Sequence, residues 1–131
     1  MPDACCNPGV LFVDGQATGL RVRVARSFLQ RGIGLLGSRG HADFDALLLR
    51  RCAAVHTLGM SRRIDVCFVS AAGRVLQAHP HLAPWGFAAC SAARDTWEMA
   101  PGSFERLGIR AGTILSLGPQ AMGAQAMGAP A

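Results

Sequence analysis

Short apolar runs bounded by turn residues, with period-two alternation of apolar and polar positions in places, mark most of the chain as strands. Val10–Val13 is apolar and runs into the turn pair Asp14-Gly15. Leu20, Val22 and Val24 then alternate with Arg21 and Arg23, which predicts a hairpin with one wet face. At Ser27 the pattern becomes helical: Ser27-Phe28-Leu29-Gln30 reads as a capping box, Leu35 and Leu36 follow one to two turns on, and Gly37 ends the element. Gly32 and Gly34 each weaken this helix by roughly 1 kcal/mol relative to Ala, so Ser27–Leu36 needs packing to hold it. Strand signals return at Ala46–Leu49, Ala53–Thr57, Ile64–Val69 and Arg74–Ala78, with Ala72-Gly73 turning the third of these into the fourth. Two more follow at Arg94–Met99 and Thr113–Leu117, and between them Ser103–Leu107 predicts a single capped helical turn stopped by Gly108. Together these predict a mainly β fold, a compact β-sandwich or partly open β-barrel with one α-helix and a short helical turn.

Composition narrows the class. At 131 residues the chain has room for one core, expected over residues 8–118. Residues 1–7 are expected to be flexible. Residues 119–131, where Gln120–Ala124 is repeated as Gln125–Ala129, are expected to form a disordered low-complexity tail. Half the residues are hydrophobic and 16% are charged, which excludes disorder of the whole chain. No apolar run approaches the roughly 18–20 residues of a transmembrane segment. The net charge is +5 and every one of the 13 basic residues is Arg, with no Lys and no Tyr, as a GC-rich genome produces. The arginines are scattered, and the pairs Arg50-Arg51 and Arg62-Arg63 lack the interleaved aromatic residues that stack bases, so they read as a solvated basic face rather than a nucleic-acid site. Five Cys form no C-x-x-C pair, and the first residues show no secretory or lipoprotein signal. The expectation is a cytoplasmic protein with reduced thiols, a pairing of Cys52 with Cys90 being left open.

The chemistry-bearing segment is His56-Thr57-Leu58-Gly59-Met60, just ahead of Ile64-Asp65-Val66. On a strand Ile64, Val66 and Phe68 face one way and Asp65 and Cys67 the other. A carboxylate there must be hydrogen-bonded or shift its pKa, and the simplest reading has Asp65 capping the Gly59–Arg63 turn through backbone N–H groups. The competing reading gives it a ligand or a catalytic task. Metal ligation would need Cys52, His56, Cys90 and one of His79 and His81 to converge; without tight ligand pairs, no metal or other cofactor is expected. Cys52 or Cys67 acting as a nucleophile with His56 lacks a setting that lowers a thiol pKa, apart from nearby arginines. Trp97 is expected in the core with Glu98 on the opposite face, and Asp65 and Glu98 on neighbouring strands could form a carboxylate pair.

The run Cys52-x-x-x-His56-Thr57-x-Gly59-Met60 followed by Ile64-Asp65-Val66-x-Phe68 resembles the signature of the domain of unknown function 192 family, small bacterial and archaeal proteins. Arg31-Gly32-x-Gly34-Leu35-Leu36-Gly37 resembles that family's Arg-x-x-Gly-Leu-Met element, Trp97-Glu98-Met99-x-x-Gly102 its Leu-Glu-x-x-x-Gly element, and Arg106-Leu107-Gly108-Ile109-x-x-Gly112 continues the match. Arg63, Thr113 and Gly86 depart from it, standing where relatives usually carry Pro, Asp and, in members with a Pro-Trp-Arg element, Arg. The resemblance implies a compact β-rich fold and no particular activity; many relatives look exported or lipid-anchored, and some are encoded beside pilus-assembly genes. Three functions follow as expectations. The first is a non-enzymatic module binding a small molecule or protein, its cleft built around His56, Thr57, Met60, Asp65, Trp85 and Glu98. The second is a small hydrolase using Asp65 or Glu98 with His56, and the third an interaction factor for envelope or pilus assembly. No nucleophile, base and oxyanion set can be read together, which favours the first.

Overall fold

The computed structural model describes residues 9–25, 44–58 and 60–119. Of these, 54% lie in strands and 5% in helix, so the fold is mainly β. The strands are β1 (Gly9–Val13), β2 (Gln16–Ala25), β3 (Ala46–Leu49), β4 (Ala54–His56), β5 (Ile64–Val69), β6 (Val75–Leu82), β7 (Phe87–Ala89), β8 (Asp95–Met99) and β9 (Leu115–Gly118). One short helix, α1 (Ser103–Leu107), precedes β9. The expected helix Ser27–Leu36, residues 1–7 and nearly all of the expected tail lie outside the described residues.

Seven strands form one sheet in the order β6-β5-β8-β3-β2-β1-β9, and β4 and β7 form a separate ribbon. Every pairing is antiparallel except β2 with β3. A parallel pair needs a long crossover, usually a helix, and the segment joining β2 to β3 is where the sequence predicts one. The sheet curls into a half-barrel. Its edge strands β6 and β9 meet at one end, where Arg74 bridges Ile114 and the N–H groups of Val75 and Leu115 donate to Thr113 O and Gly73 O, each at 2.8 Å. Gly73 makes that seam possible: its φ is 88°, and a Cβ there would collide with the Leu115 carbonyl oxygen.

The expected alternation in β5 is present, and both of its faces are buried. Ile64, Val66 and Phe68 pack with Leu47, Leu49, Val55 and Met60. Cys67 and Val69 pack with Leu11, Val22, Trp97, Met99 and Leu115, where Phe104 of α1 joins them. The first core lies under the β4–β7 ribbon, which contributes Val55 and Ala88; the second draws on strands from both edges and fills the curl. Strand β6 continues four residues past the expected Ala78, through Pro80. A proline donates no ladder bond and is tolerated because β6 is an edge strand.

Candidate functional site

The site begins with a bulge. Ile64 pairs with Leu82 and Val66 with His79, so Asp65 alone stands opposite Pro80 and His81. His81 has a φ of 58°, and its N–H finds Asp65 Oδ1 at 2.8 Å instead of a ladder carbonyl. The other oxygen, Oδ2, accepts the Phe104 N–H at 2.9 Å in the first turn of α1. That turn starts at Gly102, which offers no side-chain cap, so Asp65 serves as the cap from another strand. The expectation that Asp65 caps the Gly59–Arg63 turn is therefore corrected: it does accept backbone N–H groups, but from the bulge and the helix. At the far end of α1 the Ile109 N–H reaches Phe104 O and the Gly108 N–H reaches Glu105 O, with Gly108 at φ 71° closing a Schellman motif.

Thr57 is also fully buried. Its Oγ1 donates to Ala83 O at 2.6 Å and accepts the Gly86 N–H at 2.6 Å, while its carbonyl accepts the N–H of Trp85 at 2.8 Å and that of Met60 at 3.1 Å. This clamp holds Trp85 at φ 62° with its side chain in solvent, 70% exposed. Gly86 sits where a Cβ would press to 2.9 Å from Ala83 O, which accounts locally for glycine at this position.

The six candidate residues do not share one cleft. His56 is exposed opposite Phe87, its Nδ1 accepting the Leu58 N–H at 3.3 Å, and Trp85 is exposed as well. Met60 and Glu98 are buried. Asp65 and Glu98 do lie on neighbouring strands, but Val66 pairs with Glu98 while Asp65 pairs with Met99, so the two carboxylates point to opposite faces of the sheet. The carboxylate pair is thus not assembled. Glu98 enters the apolar core beside Leu47 and Val66; its Oε1 has no hydrogen-bond partner, and burial pushes its carboxyl from 4.5 to about 7. Among the described residues no three His, Cys, Asp or Glu side chains gather to hold a metal ion. Cys52, Cys67 and Cys90 are free and buried. Burial, and secondarily the Asp65 charge, push the Cys67 thiol up to about 12, which leaves it unreactive.

The open feature near this segment is a cleft of about 180 Å³ between the Arg62-Arg63 turn and α1, lined by Arg62, Arg63, Arg106, Asp45 and Ser103 over Phe44 and Pro101. All three arginines are exposed. Among the described residues the ion pairs are Arg21 with Asp45 (3.3 Å) and Arg50 with Asp95 (3.6 Å), neither of which engages these three. Asp45 thus already has a cation, its Oδ2 also accepting the Arg21 N–H at 2.9 Å. Arg63 Nη1 donates to His81 O at 3.0 Å, and the Arg106 guanidinium lies over the bare Cα of Gly102. A second cleft of about 210 Å³ opens over Leu48, Trp97 and Leu115, but its cation, Arg50, is paired with Asp95. The sequence showed Arg62-Arg63 only as a basic pair; nothing in it signalled that Arg106, from a distant turn, stands across from them.

A half-barrel sheet with a ribbon on one face and a short helix in its curl defines a small β-rich domain. The chain belongs to the domain of unknown function 192 family, described as an uncharacterized ACR, which it matches over residues 10–117. No curated protein matches it. A crystal structure of a protein of unknown function from Novosphingobium aromaticivorans DSM 12444 is similar, with TM-score 0.67 at 20% identity over 83% of each chain. So is that of a putative transcription regulator from Sinorhizobium meliloti 1021, with TM-score 0.68 at 20% identity over 84% of this chain and 90% of that one. At such identity the likeness speaks for the fold alone. None of these descriptions names a ligand, a reaction or an envelope or pilus role. No helix among the described residues is long and apolar enough to cross a membrane.

Proposed function

We propose that this chain is a non-enzymatic binding module whose cleft, beside the His56–Asp65 segment, takes a small acidic group such as a phosphate or a carboxylate. The observation that carries this reading is the set of three exposed arginines converging on one cleft, none of them in an ion pair among the described residues. Guanidinium forks match carboxylate and phosphate oxygens two at a time. The volume, about 180 Å³, is below the roughly 300–1,000 Å³ of sites that enclose a whole drug-sized ligand. It suits the acidic end of a molecule whose remainder projects into solvent. Asp65 supports the cleft from beneath by fixing α1, and its two oxygens are already engaged by backbone donors.

The test is a titration of the full chain with inorganic phosphate and with small mono- and dicarboxylates, followed by thermal shift and amide chemical shifts. At a hundredfold excess over Kd a bound anion stabilises the fold by about 2.7 kcal/mol. Arg62→Gln with Arg106→Gln abolishes that shift if the cleft is the site. An unchanged response in the double variant, or no response to any anion, refutes the reading.

A further inference from the structure

Among the described residues the exposed large hydrophobic side chains are Leu58, Trp85 and Phe87, at 57%, 70% and 68% exposure. All three belong to one end of the molecule. Phe87 is paired opposite His56 on the β4–β7 ribbon. Leu58 and Trp85 stand in turns two residues beyond the ends of those strands, and Trp85 is joined to Thr57 by a 2.8 Å backbone bond. Period-two alternation puts Phe87 on the outer side of the ribbon, away from the buried Val55 and Ala88, and Leu58 and Trp85 are exposed in the turns at the same end of its two strands. Trp85 is held at a left-handed φ of 62° by the buried Thr57, a conformation disfavoured for a bulky residue. The fold thus holds the ring out in water.

The segment that carries them is basic. Between Asp45 and Asp95 the chain has one acidic residue, Asp65, against six Arg and three His, and Asp65 is fully buried. The exposed Arg62 and Arg63 follow Leu58 closely, and the Arg63 guanidinium lies on the His81 carbonyl, ahead of the turn that carries Trp85. At these exposures the three side chains offer on the order of 400 Å². Stable protein interfaces take about 800 Å² from each partner, so a second copy of the chain is too poorly served by this patch. A tryptophan, a phenylalanine and a leucine exposed at one end of the ribbon, with the exposed Arg62 and Arg63 close by, instead match the anionic interface of a lipid bilayer, where amphipathic rings settle among headgroups and basic side chains meet lipid phosphates.

We infer that the exposed end of the β4–β7 ribbon, through Phe87 on the ribbon and Leu58 and Trp85 in its adjoining turns, with Arg62 and Arg63 beside them, docks the protein peripherally on an anionic membrane surface. This inference does not depend on the cleft binding a soluble anion. The full chain is mixed with vesicles of phosphatidylcholine alone or with added phosphatidylglycerol, and binding is read by co-sedimentation and by tryptophan emission. Trp85 is exposed and Trp97 is 2% exposed, so a blue shift on binding reports Trp85. The surface variant is Trp85→Asn with Phe87→Thr, since Asn tolerates left-handed backbone and Thr suits a strand.

The expected results are binding that requires phosphatidylglycerol, a blue shift lost in Trp85→Asn, and vesicle affinity at least about tenfold lower in the double variant. Four results overturn the inference: no binding of the parent chain, equal binding to both vesicle types, undiminished binding of the double variant, or self-association that shields Trp85 without lipid. A phosphate response that vanishes in the Arg62 and Arg106 variant while vesicle binding fails refutes the membrane surface and leaves the cleft standing. The reverse outcome does the opposite.

Discussion

Replacing Asp65 tests the structure at its most connected polar group. Asp65→Ala leaves two N–H groups without an acceptor. The Phe104 N–H is buried, and leaving it unpaired costs its desolvation, about 1–3 kcal/mol. The His81 N–H belongs to an exposed residue that water can reach, so its loss costs nearer to 0.5–1.5 kcal/mol. The sum is a destabilisation of about 1.5–4.5 kcal/mol. Asparagine makes the sharper variant. A carboxylate capping a single N–H is replaced well by Asn, whose Oδ1 still accepts. Here both oxygens accept, so in either orientation of the amide its NH2 group opposes a backbone N–H, and the charge assistance is gone. Asp65→Asn should therefore recover at most one of the two bonds and still cost about 1.5–3 kcal/mol. Urea unfolding followed by Trp97 emission and by far-ultraviolet ellipticity measures both variants, with an unchanged m-value required for the comparison. An Asn variant within about 0.5 kcal/mol of the parent would refute the two-donor arrangement, and an Ala variant that close would refute any structural role for the carboxylate.

Glu98 makes stability depend on pH. Its pKa is raised from 4.5 to about 7 in the fold, so the native state holds a proton that the unfolded state releases; stability is full below about pH 4.5 and falls as pH rises through about 7, by about 3 kcal/mol in all. Glu98→Gln should flatten that profile and be the more stable protein above pH 7, and a parent protein whose urea midpoint rises across this window refutes the assignment. Thr57→Val, nearly isosteric, removes a hydroxyl that both donates and accepts at 2.6 Å and should cost about 2–3 kcal/mol while raising acrylamide quenching mobility at Trp85; Thr57→Ser should restore most of it, and equal losses in Val and Ser would point to packing instead. Gly73→Ala meets both a left-handed φ and the Leu115 carbonyl and should lose at least about 2 kcal/mol in urea unfolding, whereas Gly15→Ala, with nothing near its Cβ, pays for φ alone, about 1 kcal/mol. Similar losses at the two glycines would contradict the seam between β6 and β9.

The strand sequence was largely legible because each strand carries its own local signal. Val22 and Val24 against Arg21 and Arg23, the alternation through Ile64–Val69 and the turn at Ala72-Gly73 all describe neighbours in the chain, and the observed β2, β5 and β6 start or end close to them. The extension of β6 through Pro80 was hidden because a proline argues against a strand unless the strand is known to be an edge, which is a property of the sheet. Strand β7, only Phe87–Ala89, has too few residues to show a period. The need of Asp65 for backbone donors was legible from a carboxylate among Ile64, Val66 and Phe68. Which donors was not, because His81 and Phe104 are 16 and 39 residues away. The same limit separated Arg62-Arg63 from Arg106 and grouped Asp65 with Glu98, which pairing places on opposite faces.

One consequence of the Asp65 geometry reaches the cleft. Its Oδ1 fixes His81, whose carbonyl receives the Arg63 guanidinium, and its Oδ2 fixes Phe104 at the start of the helix that carries Arg106. Two of the three cationic walls are therefore set by one carboxylate that faces neither the cleft nor solvent. Asp65 acts on any anion there as a positioning residue, and rigid elements with supporting hydrogen bonds are what keep such a constellation in register. The Asn variant separates this role from stability alone. If only one tether survives, either Arg63 or Arg106 loses its fixed position while the protein still folds at low temperature, and the phosphate response should weaken by more than the loss of either single arginine's partner contact explains. A folded Asp65→Asn protein with the parent's phosphate affinity would show that the arginines hold their places through the sheet and helix without it.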